Sequence, residues 1–190
     1  ATQLPSPTYH DTNTKPRTLY FYTITASNET GTSASSAKLA ASSGLPDGFM
    51  SMDVGKVGLP GYSEFNGKAF TMEGEGHDIG GIDDSFHFAY APMTGDGTIT
   101  ARIIRPMSSQ WAKPGVMMRE NLDSDSRHAS VLLIPHWSGA LVTRSKKGGE
   151  TTIHKARHLG EKHVIKKNRL STPYWLRLIR FRNRFTGYMS

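Results

Sequence analysis

Short apolar runs at period two dominate this chain. "LYFYTITA", "FHFAY", "TITARII", "GVMMRE", "ASVLLI" and "YWLRLIRF" are β-branched or aromatic stretches separated by Gly, Pro, Asn, Asp and Ser. Successive side chains on a strand point to opposite faces, so each run can bury one face and leave the other wet. "FNGK", "TGDGT" and "SKKGGE" sit at hairpin distance between such runs, and Gly and Asn supply the positive φ that tight hairpins require. No segment sustains the i, i+3, i+4, i+7 stripe of an amphipathic helix beyond about two turns. The best helical candidate, around Gly160 to Ile165, is too short to matter. The expected class is all-β.

With 190 residues, 36% hydrophobic and 9% aromatic, the chain can fill a core. No apolar run approaches the roughly 18 residues of a membrane span. Cysteine is absent, which excludes disulfides and thiolate metal sites. The net charge of +7 is concentrated: Arg144, Lys146, Lys147, Lys155, Arg157, Lys162, Lys166, Lys167 and Arg169 face only Glu150 and Glu161, a local +7 equal to the excess of the whole chain. A polyanion would be felt there first. Stacking on bases calls for aromatic rings between the cations, and none stands between Arg144 and Arg169, so an acidic glycan is the better match than nucleic acid.

The Ser-, Ala- and Gly-rich stretch "SSAKLAASSGLPDG" reads as a linker with a boundary near Ser43. Upstream, "YFYTITASNETGTSASS" places Tyr20, Tyr22, Ile24 and Ala26 on one face and then turns at Asn28 to Gly31. This pattern resembles the end of a bacterial fibronectin type III module. Residues 1–42 are therefore expected to be the last part of such a module with its linker.

From Leu45 onward, "LPDGFMSMDVGKVGLPGYSEFNGKAFTMEGEGHDIGGIDDSFHFAYAPMTGDGTITARI", "WAKPGVMMRE" and "TPYWLRLIRFRNRFTGYMS" are similar to a secreted bacterial domain of the concanavalin A-like lectin/glucanase superfamily, of the regulation-of-enolase-like kind. The resemblance implies, for residues 43–190, a two-sheet antiparallel jelly-roll sandwich. It also implies an extracellular or cell-surface setting beside fibronectin modules and glycan-degrading enzymes. Two departures stand out. "DIGG" has Gly80 where relatives carry Trp, and relatives continue past "FTGYMS" with further strands, which neighbouring domains or chains are expected to supply here.

The expected function is a non-catalytic carbohydrate-binding or adhesive module. The alternatives are a structural subunit of an extracellular assembly and a glucanase-type glycoside hydrolase. Hydrolysis needs two facing carboxylates; Glu73 and Glu75 have same-face spacing but lack the intervening Asp of the glucanase signature. No Gly-x-Ser-x-Gly elbow supports serine chemistry. The loop tryptophans Trp111 and Trp137, with His136, are the candidate sugar-binding residues, joined by the strand arginines Arg119 and Arg177; Trp175 is expected in the core and His87 as a solvent-facing or hydrogen-bonded strand residue. In "GEGHDIGGIDDSFHF", Asp78, Asp83 and Asp84 are weak candidates for a calcium ion. Their spacing fits no defined calcium loop and turn formation explains them better, so no cofactor is expected.

Overall fold

The structure, a computed structural model, describes residues 11–104 apart from 12, 16, 17 and 43, and then 109, 111–134, 138–155 and 173–190. Every regular element among them is a β-strand, and every strand pair is antiparallel. The all-β expectation is therefore met. No helix among the described residues is long and apolar enough to cross a membrane. The candidate helix around Gly160 to Ile165 lies outside the described residues. Packing divides the chain into two units, Ala1–Gly76 with Phe86–Pro92, and His77–Ser85 with Met93–Ser190.

In the first unit β1 (Leu19–Tyr22) pairs with β4 (Leu39–Ser42), so part of the Ser/Ala-rich stretch is strand. Between them the short strands β2 (Ser27–Asn28) and β3 (Gly31–Thr32) close the hairpin expected at Asn28 to Gly31, where Asn28 Oδ1 accepts the N–H groups of Thr30 and Gly31. β5 (Met50–Val54) pairs with β10 (Phe86–Tyr90). β6 (Tyr62–Phe65) and β7 (Phe70–Glu73) form a hairpin around "NGKA", in which Asn66 Oδ1 caps Lys68 and Ala69 and Gly67 takes φ +88°.

The second unit holds the main core. β11 (Gly97–Ile103), β16 (Tyr174–Phe181) and β17 (Arg184–Met189) form one sheet in the order β11-β16-β17. β12 (Gly115–Arg119), β13 (His128–Ile134), β14 (Ser138–Arg144) and β15 (Thr152–Lys155) form a second, in chain order. The two sheets share one apolar cluster: Val116, Ala129, Val131 and Leu133 from one meet Leu176 and Leu178 from the other, and Ala101, Ile103, Phe185 and Met189 pack around them. Gly187 belongs to this contact, because a Cβ there would lie 2.6 Å from Val131 Cγ2.

β13 is buried at all seven positions. Its odd-numbered residues Ala129, Val131 and Leu133 face the shared core, and Leu132 and Ile134 join Ala140, Val142 and Ile79 in a second cluster on the other side. The hairpin of β8 (Ile79–Gly80) and β9 (Asp83–Asp84) contributes that Ile79. A strand covered on both faces reads as a nearly unbroken apolar run, and "ASVLLI" is one.

Leu178 is fully buried between the sheets. Leu178→Ala should therefore lower stability by about 2–5 kcal/mol, read as a fall in the urea midpoint at unchanged slope.

Candidate functional site

The two layers leave one face of the β11-β16-β17 sheet turned away from the core. On β16, Leu176 and Leu178 point inward and are fully buried, so Trp175 and Arg177 must point outward. Trp175 is 51% exposed, which corrects its expected place in the core. Register sets the neighbours: Arg102 lies opposite Trp175, and Thr100 and Tyr188 flank Arg177 on either side. The Arg102 guanidinium sits 5.9 Å from the Trp175 ring centre, a cation–π distance. Arg177 Nε donates to Thr100 Oγ1 at 3.1 Å, and Tyr188 is 55% exposed. Thr98, Ile179 and Thr186 form the next row. The β16–β17 turn holds Arg182 at φ +55°, where its N–H is accepted by Asp96 Oδ1. The result is an open, flat surface of rings, hydroxyls and guanidinium groups.

A second constellation lies in the same unit but is sealed. Cross-strand register places Arg119, His128 and Arg144 in one row across β12, β13 and β14. Two guanidinium groups flanking a histidine in one buried row would repel each other. Asp84, from β9, resolves this: its Oδ1 accepts Arg144 Nη2 at 2.7 Å, and its Oδ2 accepts Arg144 Nη1 at 2.8 Å and Arg119 Nη1 at 3.2 Å. Arg144 directs its remaining donor capacity to carbonyls, with Nε on Gly149 and the two Nη groups on Gly80, Gly81, Ser124 and Ser126. Arg119 also donates to the carbonyls of Asn121 and Asp123, and burial pushes its guanidinium below the usual arginine value. His128 Nε2 is 3.8 Å from Asp84 Oδ1, too far for a hydrogen bond, and has no partner among the described residues. Burial, with the two neighbouring guanidinium groups, lowers the His128 pKa to about 4.

In the first unit Asp53, Ser63 and His87 form a connected trio. His87 and Asp53 are directly opposite on β10 and β5, with Nδ1 and Oδ1 2.7 Å apart, and Ser63 Oγ is 2.9 Å from Nε2. Gly61 N–H spans both Asp53 oxygens at 3.1 Å. The geometry is that of a serine nucleophile with its base and orienting acid. Access is not: Ser63 has no solvent exposure, and the ring is enclosed so closely that a Cβ at Gly61 would come within 2.2 Å of it. The trio pins β5, β6 and β10 together. Its members are 24 and 34 positions apart on three strands, so no local motif announces it. Of the two expectations for His87, solvent-facing or hydrogen-bonded, it is the hydrogen-bonded one, with its side chain 5% exposed.

The expected site residues separate accordingly. Arg177 lies on the open face. Arg119 lies in the buried row, away from it. Arg144, expected as a surface cation for a polyanion, is 1% exposed and is the main partner of Asp84, a correction with a plain electrostatic cause. Lys147 pairs with Asp123 at 2.7 Å and lies 3.7 Å from Asp125, while Lys146 is exposed. Trp111 is 74% exposed in a turn. His136, Trp137, Arg157, Lys166, Lys167, Arg169 and the side chain of Lys155 lie outside the described residues. Of the weak calcium candidates, Asp78 pairs with Lys113, Asp83 is exposed, and Asp84 has both oxygens engaged by guanidinium groups. Among the described residues no three His, Asp or Glu side chains gather as a metal site. Glu73 and Glu75 are both exposed, with Glu75 beyond the end of β7.

No family model matches the chain, no curated protein matches it, and no solved structure matches it.

Two outcomes follow from the buried row. Asp84→Asn should destabilise the protein by about 3–5 kcal/mol in denaturant titration, because two buried guanidinium groups lose their counter-charge. The second concerns pH. His128 has a folded pKa of about 4 against about 6.5 unfolded, so its contribution is complete above pH 6.5. It is lost as pH falls toward 4, by about 3 kcal/mol in all. His128→Gln should remove that part of the slope when urea midpoints are compared from pH 7 to pH 4.

Proposed function

We propose that this chain is a non-catalytic carbohydrate-binding or adhesive module of a secreted multidomain protein, acting outside the cell or at its surface. The outer face of the β11-β16-β17 sheet is the surface that holds the polysaccharide. The fold that goes with this reading is the concanavalin A-like jelly roll for residues 43–190, with the end of a fibronectin type III module before it.

One observation carries the reading: Trp175 and Tyr188 stand half-exposed on an ordered sheet whose opposite face is the core. Sugars present apolar C–H faces that rings cover and hydroxyls that Thr98, Thr100, Thr186 and the guanidinium groups can hydrogen-bond. A rigid sheet holds these groups in place before the ligand arrives, which lowers the ordering entropy of binding. Trp111, exposed in its turn, is a further ring of the same chemistry in this unit. The carboxylates do not favour hydrolysis. Glu73 and Glu75 are not on one strand face, and Ser63 cannot be reached without parting strands.

Affinity electrophoresis and a glycan array of the whole chain test this. Trp175→Ala and Tyr188→Ala should each weaken retention by roughly tenfold or more, since exposed aromatic anchors dominate such contacts. Far-UV circular dichroism should be unchanged, because neither ring is in the core. Retention unaffected by either substitution would place the sugar elsewhere, and reducing-sugar release abolished by Glu73→Gln or Glu75→Gln would make the chain an enzyme.

A further inference from the structure

We infer that the face selects an acidic polysaccharide, and that a carboxylate or sulfate of the sugar chain seats on Arg177 and Arg102, beside the Trp175 ring and within reach of the Tyr188 ring. This rests on the carbohydrate-binding reading above and assigns its ligand class and the residues that read it.

Charge complementarity is the ground. β11, β16, β17 and the turn joining the last two carry five arginines, Arg102, Arg177, Arg180, Arg182 and Arg184, and no Asp or Glu. Among the described residues no salt bridge engages any of the five. Of the basic stretch that composition alone pointed to, Arg144 is sealed on Asp84, Lys147 is held by Asp123 and Asp125, Lys146 is exposed, and the cations from Arg157 onward lie outside the described residues. Among the described residues, this sheet and its turn therefore carry positive charge with no carboxylate partner, of which Arg180, on the parity of Leu176 and Leu178 and over the Phe185 ring, is not turned to the open face.

Register makes the arginines a site and not a scatter. Arg102 and Arg177 are diagonal neighbours on adjacent strands, since Arg102 pairs with Trp175 and Thr100 with Arg177. Such a diagonal spans about 7–8 Å, which two long guanidinium side chains can close on one anion. Arginine suits the task because its planar fork matches carboxylate and sulfate oxygens. Tyr188 lies directly across from Arg177, and Trp175 is two positions along the strand, about 7 Å away. An anion on Arg177 thus has one ring along the strand and another across it to receive the sugars that carry it.

The test is a titration of the full chain with polygalacturonate, a sulfated galactan, neutral xylan and single-stranded oligothymidine, each at low and high salt. The acidic polysaccharides should bind roughly tenfold or more tightly than xylan at low salt, and the margin should shrink as salt rises. Arg177→Gln and Arg102→Gln should each weaken binding of the acidic chains roughly tenfold or more and of xylan by much less, so that the preference is erased, whereas Trp175→Ala should weaken both alike. Lys146→Gln with Lys147→Gln should change nothing. Equal binding of acidic and neutral chains, or a preference that survives the arginine variants or falls with the lysine pair, overturns the inference and leaves the carbohydrate reading standing. Failure to bind any of the sugars overturns the reading beneath it. Tight binding of oligothymidine alone overturns both.

Discussion

The contact between Asp84 and Arg144 is the one on which most of the second unit depends. Both side chains are fully buried, and the guanidinium links four separate stretches: β14 that bears it, the β8–β9 hairpin, the loop at Ser124 and Ser126, and the turn at Gly149. A buried charge is tolerable only when its donors and acceptors are satisfied, and Arg144 makes good all of its N–H groups this way. The same carboxylate reaches Arg119, so three strands are fixed in register by one anion. A slip of one residue would turn each basic side chain toward the shared apolar core, where nothing could compensate it. Polar specificity of this kind complements the hydrophobic clusters, which alone would tolerate more than one register.

Alternation explains why the fold class was readable and the layer order was not. Leu176 and Leu178 against Trp175 and Arg177 is a clean period of two, and it marks β16 as a strand with one wet face. β13 gives a continuous apolar run instead, consistent with its two covered faces. Neither pattern states which strand lies beside which. That information resides in long-range register, such as β11 pairing with β16 across some seventy residues of chain, which no local periodicity encodes.

The functional residues divide along the same line. Arg119 and Arg177 both stand among apolar residues of a strand and look alike as text, yet one is 2% exposed at its side chain and the other points to solvent. The difference is coverage: β12 has a second layer over its far side, and β16 has none among the described residues. Trp175 was readable, because it shares the parity of Arg177 on a strand whose Leu176 and Leu178 face the core. Arg144 could not be read. Its neighbours Lys146 and Lys147 mark a basic surface turn, and only the distant Asp84, sixty positions away, draws it inside.

Access, finally, decides what each constellation can do, and it ranks them differently from geometry. Asp53, His87 and Ser63 have distances suited to proton transfer but no path to a substrate, so their hydrogen bonds act on strand packing. The Asp84 row has strong charges and a histidine held neutral by burial, but it too is closed to solvent. The β11-β16-β17 face has the weakest internal contacts of the three, a hydroxyl bond from Arg177 and cation–π contacts of Arg102 with Trp175 and of Arg182 with Phe181, and it alone of the three is open. Groups that are ordered by a sheet yet incompletely satisfied by their neighbours retain hydrogen-bonding and dispersion capacity for a ligand. The sealed clusters have already directed theirs inward, where the trio holds β5, β6 and β10 together and the Asp84 row holds β9, β12 and β14.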